Sequence, residues 1–316
     1  MNIVILGAAG FIGTNLAIKL AENKNDRITL VDKRIEYFFE IQKYGFDNVR
    51  IKESSLDNND SFNVLQNQDV VYHLVSSNVP TTSNQHISQD IESNVLFSSK
   101  LLEACVRFGI KKVVFMSSGG TVYGKEAKCP LKEDTPTNPI SSYGVQKVTI
   151  EKLLYLYNYI YGLDYRVIRL ANPYGPYQRP NGVLGAVTTF TYKALKGEEI
   201  QVYGDGTVVR DFIYIDDAVR GIVNIVNGEN EHHIFNLGCG YGTSIKNVLK
   251  TIEHALGINV NIVYKEARAV DVPVNYLDIS RYEKCYGKLE PLSLEMGIRK
   301  TAAFLNRQQG SWEGKV

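Results

Sequence analysis

Short apolar runs alternate with longer amphipathic segments along the first half of the chain. The short runs have the length of buried strands, whereas the longer segments repeat their apolar positions every three to four residues, as helices do. An alternation of strands and helices predicts βαβ units on a parallel sheet with right-handed crossovers. The predicted strands are residues 2–7, 28–31, 69–75, 112–116 and 165–170, and the longer predicted helices are residues 11–23, 87–108 and 142–161.

The pattern changes after Leu170. Residues 172–182 contain three prolines and two glycines, which are typical of turns, and residues 202–207 form another predicted loop. We therefore predict a first domain over residues 1–171 and a smaller lobe over residues 172–316.

Part of the second half is expected to return to the first domain. A helix is predicted near residues 217–226 and a strand near residues 234–237, and both would rejoin the main sheet. The segment of about 212–238 would then belong with the first domain. The predicted fold class is α/β, a doubly wound parallel sheet with a smaller C-terminal α/β lobe.

Composition excludes several classes of function. Of the 316 residues, 44% are hydrophobic and 22% are charged, and the net charge of +1 gives no reason to expect a nucleic acid or a membrane surface as partner. No apolar stretch approaches the ~20 residues of a membrane span. The first strand begins at Asn2, so we expect no signal peptide and a cytoplasmic protein. The cysteines are too scattered for a zinc site or a disulfide framework; they are Cys105, Cys129, Cys239 and Cys285.

Three glycines open the first predicted helix directly after the first strand. Glycine permits a tight turn and close approach of the backbone to a pyrophosphate at the helix N-terminus. Asp32 ends the second strand nineteen residues after Gly13, near the spacing at which an acidic residue binds the adenosine ribose and repels a 2′-phosphate. A turn that serves packing alone is the alternative. The pattern predicts NAD, held by Gly7, Gly10, Phe11, Ile12, Gly13 and Asp32.

A second set of polar residues has the chemistry of a proton acceptor. Tyr143 and Lys147 are four residues apart, so on a helix they lie on one face. An ammonium group beside a phenol favours the phenolate, which makes the tyrosine a general base. Ser118 lies in a turn that follows a buried strand, where its hydroxyl would hold the substrate oxygen. We predict that these three residues remove a proton from an alcohol while a hydride leaves its carbon.

With these motifs in this order, the chain resembles the extended short-chain dehydrogenase/reductase family. Within that family it is similar to the NAD-dependent sugar-nucleotide epimerases and dehydratases, and above all to UDP-glucose 4-epimerases. Further markers of the resemblance are His73-Leu74-Val75, Asn94, Thr121-Val122-Tyr123-Gly124, Asn172-Pro173, Val202-Tyr203-Gly204-Asp205-Gly206, Arg210-Asp211-Phe212 and Arg268-x-x-Asp271. The resemblance implies a Rossmann domain with a substrate lobe, NAD that stays bound through turnover, and a homodimer formed through two long helices.

The resemblance also implies roles for individual residues. Asn94 would lie on the helix along the cofactor, and Asn172 would lie between the nicotinamide and the sugar phosphate. Tyr203 would stack near the uracil, and Asp271 would meet the uridine ribose. The substrate-binding residues implied as a whole are Ser118, Asn172, Val183, Tyr203, Arg210, Arg268, Asp271 and Asn275, with the two arginines on the diphosphate.

The turn before Val122 departs from the family pattern. Gly119 stands where the catalytic serine or threonine usually lies, so either Ser118 or Thr121 would supply the missing hydroxyl, and we favour Ser118. The 4,6-dehydratases place Asp-Glu before the Val-Tyr-Gly motif, whereas this chain has Gly120-Thr121, which can neither donate nor take a proton at neutral pH.

The sequence therefore predicts an isomerase, an NAD-dependent UDP-sugar 4-epimerase that oxidises C4 transiently and reduces it again. Asn275 would border the C2 substituent, and its intermediate size leaves glucose and N-acetylglucosamine substrates open. A UDP-uronate or lipid-linked sugar epimerase, or a nucleotide-sugar reductase, is the alternative on the same site. A non-catalytic dinucleotide-binding regulator is disfavoured because the chain keeps Tyr143 and Lys147.

Overall fold

The structure is a computed structural model. It describes residues 1–56, 59–77, 83–180, 185–267 and 272–308.

Fourteen strands form in the described part of the chain. In order they are β1 (Asn2–Leu6), β2 (Arg27–Asp32), β3 (Val49–Glu53), β4 (Val70–His73), β5 (Lys112–Ser118), β6 (Asp164–Leu170), β7 (Asn172–Tyr174), β8 (Ile200–Tyr203), β9 (Val209–Arg210), β10 (Phe212–Tyr214), β11 (Ile234–Leu237), β12 (Thr243–Ser244), β13 (Ile262–Lys265) and β14 (Val274–Asn275).

Helices connect most of these strands. They are α1 (Phe11–Ala21), α2 (Phe39–Gln42), α3 (Ile87–Asp90), α4 (Phe97–Arg107), α5 (Ser142–Tyr161), α6 (Ala186–Lys196), α7 (Ile215–Asn227), α8 (Ile245–Leu256), α9 (Ser280–Tyr286) and α10 (Leu294–Arg307). Two 3-10 helices cover Ile35–Phe38 and Asn59–Leu65, and a π-helical stretch, Ile91–Leu96, joins α3 to α4.

A seven-stranded parallel sheet forms the centre of the molecule. Its strand order is β11-β6-β5-β4-β1-β2-β3. The chain builds outwards from β1 to β3 on one side and then from β4 on the other, so the order reverses between β1 and β4. This is the doubly wound order, and the predicted fold class is confirmed. Ligands of such sheets bind at the reversal, outside the carboxyl ends of the strands.

Two apolar layers cover the faces of the sheet, and β1 shows why. Its side chains alternate, so that Ile3 and Ile5 face one layer while Val4 and Leu6 face the other. The first layer contains the apolar side of α1 and α7, and the second contains that of α4 and α5. The helices thus lie on both faces, as a parallel sheet buried on both sides requires.

The smaller elements after β6 lie at the carboxyl edge of the sheet. Three small sheets pair β7 with β10, β8 with β13, and β9 with β12 and β14. The helices α6, α8 and α10 pack against one another. The strand β11 lies beside β6 in the main sheet. The division of the chain at residue 171 stays a prediction.

One predicted loop is shorter in the structure than the sequence indicates. β8 extends to Tyr203, so the loop expected over residues 202–207 begins only at Gly204. Ile200 and Val202 alternate with exposed residues and are buried, which makes a short strand stable there. Gly204 and Gly206 then take positive φ angles of 75° and 78°, which end it.

Candidate active site

A cleft of about 560 Å³ opens at the carboxyl edge of the sheet, between the sheet and the lobe. That volume is within the range of ligand sites. Most of the candidate site residues identified from the sequence line this cleft. Those on the sheet side are Gly7, Gly10, Phe11, Ile12, Gly13, Ser118, Tyr143 and Lys147, and those on the lobe side are Asn172, Tyr203 and Arg210.

The glycine turn brings β1 and α1 into very close contact. Gly7 has a φ of 82°, a conformation that glycine adopts without strain. A Cβ atom at Gly13 would lie 2.6 Å from the carbonyl oxygen of Gly7, so a larger residue would force the helix away. Gly10 precedes α1 without a side-chain cap, and no acidic residue lies in its first turn. The uncapped N–H groups and the helix dipole make this end of the cleft suitable for a pyrophosphate.

Asp32 lies beside this turn rather than in the cleft wall. Its carboxylate accepts hydrogen bonds from the backbone N–H groups of Ala9 at 3.0 Å and Arg34 at 3.3 Å. The side chain is partly exposed at the end of β2. A carboxylate held in this way next to the glycine turn fits the ribose hydroxyls of a dinucleotide. The glycine cradle and this carboxylate together fit NAD.

The first turns of α5 carry Tyr143 and Lys147. Ser141 caps the helix by accepting a hydrogen bond from the N–H of Gly144 at 3.2 Å. The Lys147 Nζ donates to the carbonyl oxygen of Met116 at 2.9 Å and lies 5.3 Å from the centre of the Tyr143 ring. The ammonium group is therefore pinned between the helix and the end of β5, beside the phenol.

Burial dominates the ionisation of both groups. It raises the pKa of the Tyr143 phenol to about 12 and lowers the pKa of Lys147 to about 8, against the opposing effect of Glu151 on the lysine. The lowered phenol pKa expected from the sequence is thus wrong for the protein alone, because the phenolate loses more hydration than the neighbouring ammonium restores. The positive ring of a bound oxidised nicotinamide is the further charge that favours the phenolate.

The turn after β5 distinguishes the two candidate hydroxyls. Ser118 lines the cleft, whereas Thr121 does not, and the Thr121 Oγ1 is buried without a hydrogen-bond partner. Leu277 explains the glycine at position 119, since a Cβ atom there would lie 2.6 Å from its side chain. This geometry supports Ser118 as the hydroxyl of the site.

The lobe side of the cleft contributes amide, phenol and guanidinium groups. Asn172 is held by the carbonyl oxygen of Asp211, to which both its backbone N–H and its Nδ2 donate at 2.9 Å. Arg210 donates through Nη1 to the carbonyl oxygens of Val209 at 2.9 Å and Val272 at 2.6 Å. Tyr203, at the end of β8, is 40% exposed and lines the cleft.

Two further predicted residues, like Asp32, lie outside the cleft wall. Asn94 is buried in the π-helical stretch, where its Nδ2 donates to Asp90, Ser77 and Gln146 and its Oδ1 accepts from the N–H of Ser77. It ties the segment after β4 to α5. Asn275 is buried and donates from Nδ2 to the carbonyl oxygen of Gly119 at 3.3 Å. Their roles toward cofactor and sugar stay predictions.

Three predicted substrate-binding residues lie outside the described residues. They are Val183, Arg268 and Asp271.

The cleft also contains residues that sequence reasoning missed. Phe190 on α6 and Ile245 on α8 add apolar surface on the lobe side, and Gln178 lines the wall after β7. The two apolar residues carry no sequence signal, since they match ordinary core positions of amphipathic helices. Gln178 lies within the turn-rich stretch, where a polar side chain between two prolines was the available signal.

Metal chemistry has no visible support in the described part of the chain. There, no three or more His, Cys, Asp or Glu side chains group together in a way that could hold a metal ion. Within the same ranges, no helix is both long and apolar enough to cross a membrane.

Comparison with known proteins gives consistent similarities over the whole chain. The NAD dependent epimerase/dehydratase family matches residues 3–238. The UDP-glucose 4-epimerase of Mycolicibacterium smegmatis is 31% identical over 313 residues, covering 98% of this chain and 99% of that protein.

Two solved structures illustrate the likeness in three dimensions. The UDP-glucose 4-epimerase of Thermotoga maritima, with UDP-glucose, is 34% identical with a TM-score of 0.90, covering 98% of this chain and 100% of that one. The UDP-glucuronic acid 4-epimerase of Bacillus cereus, in complex with UDP-glucuronic acid and NAD, is 27% identical with a TM-score of 0.88, covering 97% and 99%. The likeness therefore includes both the sheet and the lobe.

Proposed function

The chain belongs to the NAD-dependent epimerase/dehydratase family, and from this premise we propose that it is an isomerase, a UDP-sugar 4-epimerase that uses NAD. One observation carries the proposal. A single cleft is lined by the Tyr143–Lys147 pair and Ser118 from the elements of the main sheet and by Tyr203 and Arg210 from strands of the lobe. A nucleotide sugar would extend from one set to the other.

The residues of the sheet side act on the sugar. Tyr143, as phenolate, removes the proton from the sugar O4, and Ser118 shares the hydrogen bond to that oxygen. Lys147 stabilises the phenolate by its charge and binds the nicotinamide ribose. NAD, when bound, supplies the acceptor and donor of a hydride at C4.

The lobe side holds the nucleotide. The guanidinium of Arg210 would place a positive charge beside the diphosphate, and Tyr203 would place an aromatic ring beside the uracil. A sugar anchored only through its diphosphate is free to turn over between the two hydride transfers. The same anchoring would let either face of C4 turn toward the nicotinamide, so that the hydride could return to the opposite face while Tyr143 gives its proton back to O4.

The sugar itself is a finer proposal. Asn275 lies against the backbone of the Gly119–Gly120 turn, with Nδ2 to the Gly120 carbonyl oxygen at 3.5 Å. We infer that it borders the C2 substituent from there, and both UDP-glucose and UDP-N-acetylglucosamine remain candidate substrates. A UDP-uronate epimerase is the second candidate, favoured by the likeness to the Bacillus cereus structure with its bound UDP-glucuronic acid.

The test is product analysis on the purified protein. Incubation with UDP-glucose, UDP-N-acetylglucosamine and UDP-glucuronate in separate reactions should yield the C4 epimer of at least one, without added NAD. A reductase on the same site would instead need exogenous nicotinamide and give a reduced product. Absence of a C4 epimer from all three would refute the proposal.

We also propose a homodimer formed through α5 and its neighbouring helix. α5 exposes Tyr155, Tyr159 and Ile160, which are 59%, 79% and 55% accessible in the single chain. α3, packed against it, exposes Ile87. An apolar face of this kind, on two helices placed side by side, fits the two-helix dimer that the family resemblance implies.

A further inference from the structure

Glu151 continues the spacing of the reactive pair along α5. Tyr143, Lys147 and Glu151 are each four residues apart, so all three lie on the helix face that packs against β5. The first two line the cleft, whereas Glu151 lies one turn deeper and is 4% exposed. A carboxylate buried to this degree is costly unless it is paired and hydrogen-bonded.

Its partners are the turn that carries Ser118 and an arginine of β6. The Ser117 Oγ donates to the Glu151 Oε1 at 2.5 Å. Arg169 binds the same carboxylate twice, from Nε to Oε1 at 3.1 Å and from Nη2 to Oε2 at 2.6 Å. Glu151 therefore joins α5 to the ends of two adjacent strands of the sheet.

The network continues from Arg169 to the far end of the same turn. Its Nη1 donates to the Tyr123 hydroxyl at 3.1 Å, and that hydroxyl donates to the Asn236 Oδ1 at 2.6 Å. Ser117 and Tyr123 lie on either side of residues 118–122. Both ends of the turn are thus fixed, through one carboxylate, to the helix that carries the base.

The same carboxylate acts on the charge of Lys147. The lysine Nζ bonds to the carbonyl oxygen of Met116, and Glu151 bonds to the next residue, Ser117, so the two side chains lie side by side along β5. Around Lys147 the titratable groups are Tyr143 and Glu151 on α5 and His73 at the end of β4, with Phe115 of β5 beneath the amine. Burial lowers the pKa of His73 to about 3, so it adds no charge at neutral pH.

We propose that Glu151 is a positioning residue of the active site, which locks the Ser118 turn to α5 and supplies the counter-charge that keeps Lys147 an ammonium group. This role rests on the proposed function, because a charged Lys147 matters for a tyrosine base. It assigns Arg169 to the same unit, as the partner whose two hydrogen bonds offset the cost of burying this carboxylate.

Two variants separate this role from simple packing. Glu151→Gln removes the charge and keeps the acceptor for Ser117, but it leaves Arg169 unpaired and is expected to lose stability. The double variant Glu151→Gln with Arg169→Met removes both charges, so no buried arginine is left without its carboxylate partner. The matched control is Asp164→Asn, which breaks the pair between Asp164 and the buried Arg166 at the opposite end of β6.

The measurement is the titration of Lys147 by NMR, in protein labelled with ¹³C at the lysine ε-carbons and assigned with Lys147→Arg. Glu151→Gln should lower the Lys147 pKa by about one unit or more, and the double variant, which also removes the positive charge of Arg169, should lower it by less. The Asp164→Asn protein should lose melting temperature without moving that titration. If the Glu151→Gln protein does not fold, the Lys147 titration of the double variant provides the test.

This readout uses neither a UDP-sugar nor NAD, so it is independent of the proposed function. An unchanged Lys147 titration in the folded double variant overturns the role of Glu151, whether or not the wild-type protein epimerises a sugar. If the wild-type protein does turn over, the alkaline limb of its rate profile should move to lower pH in the double variant by the same shift. A uniform loss of rate at every pH would contradict the proposal.

Discussion

Ser118 and Thr121 present two hydroxyls in one turn, and only one of them faces the cleft. Thr121 Oγ1 is buried without a hydrogen-bond partner, so Thr121→Val should leave turnover unchanged and stability equal or slightly higher. Ser118→Ala should lower kcat by about 10- to 100-fold, which corresponds to one hydrogen bond to a group that becomes charged. Steady-state kinetics of the two variants, side by side, is the measurement. A larger loss in the threonine variant would reverse the assignment.

We propose that Tyr143 accepts the proton of the sugar O4 hydroxyl. Tyr143→Phe keeps the aromatic ring beside Lys147 but removes the hydroxyl to which we assign the sugar proton. We expect kcat to fall by about 10²- to 10⁴-fold while NAD and UDP remain bound. Single-turnover kinetics with calorimetry of UDP binding tests this. Turnover at the wild-type rate would remove Tyr143 as the base, and lost nucleotide binding would indicate a structural role.

At the scale of elements, residues 176–180 connect the segment after β7 to the first βαβ unit. Asn15 of α1 donates to the carbonyl oxygen of Pro176 at 3.0 Å, and the hydroxyls of Tyr177 and Tyr44 are 2.8 Å apart. The Arg179 guanidinium lies 3.4 Å from the centre of the Tyr37 ring. Tyr37 follows Asp32 closely in the chain, so we expect these contacts to lie near the adenosine of a bound dinucleotide.

The loss of one of these contacts should loosen the cofactor. Arg179→Ala removes a cation–π contact and should speed the dissociation of NAD by about tenfold, equivalent to about 1.4 kcal/mol. The matched control is Arg107→Ala, which removes a similar contact with Phe108 at the far end of α4. The measurement is the amount of NAD that each variant retains at successive times after desalting. Equal retention in the two variants would contradict this function of the segment.

The order of elements was predictable because the apolar pattern of each strand and helix is local. The strands of the main sheet up to β6, apart from β3, and the helix bearing Tyr143 follow from that pattern, and the glycine spacing located the turn beside Asp32. What the sequence could not give depends on packing between distant residues. Leu277 excludes a side chain at Gly119, and burial rather than Lys147 sets the pKa of Tyr143. Asn94 matched a motif, yet its bonds hold the fold together behind the cleft.

At the scale of the whole molecule, Asp211 joins the lobe to the main sheet. Its carboxylate is fully buried and accepts from the N–H groups of Cys239, Gly240 and Leu277, while its carbonyl oxygen holds Asn172. Burial raises the pKa of Asp211 to about 6 from its ordinary value of 3.8, against the three N–H donors that lower it.

This shift predicts a pH dependence of stability with a definite sign. A carboxyl group whose pKa is raised on folding stabilises the folded state below pH 3.8 and loses that contribution as the pH rises through 6. Between pH 4 and pH 7 the wild-type protein should therefore lose about 2 kcal/mol relative to the Asp211→Asn variant. Urea unfolding of both proteins at each pH measures the difference. A stability difference that is constant with pH would contradict it.

The proposed dimer makes a prediction at the same scale. Tyr159 is 79% exposed in the single chain, and Tyr159→Glu places a charge in the middle of the proposed interface. The variant should be monomeric at micromolar concentration by light scattering after gel filtration, while the wild-type protein has twice that mass. Tyr264→Glu is the control, since Tyr264 is 53% exposed on β13 of the lobe. A monomeric wild-type protein would exclude this interface.

The central claim is that the C4 hydride leaves the sugar and returns to it within one cleft. The most direct measurement uses UDP-glucose, UDP-N-acetylglucosamine and UDP-glucuronate carrying deuterium at C4, incubated with the purified protein in ordinary water without added NAD. We expect a C4 epimer that keeps its deuterium at C4. Either an epimer whose deuterium has been replaced by hydrogen from water, or no epimer from any of the three, would contradict it.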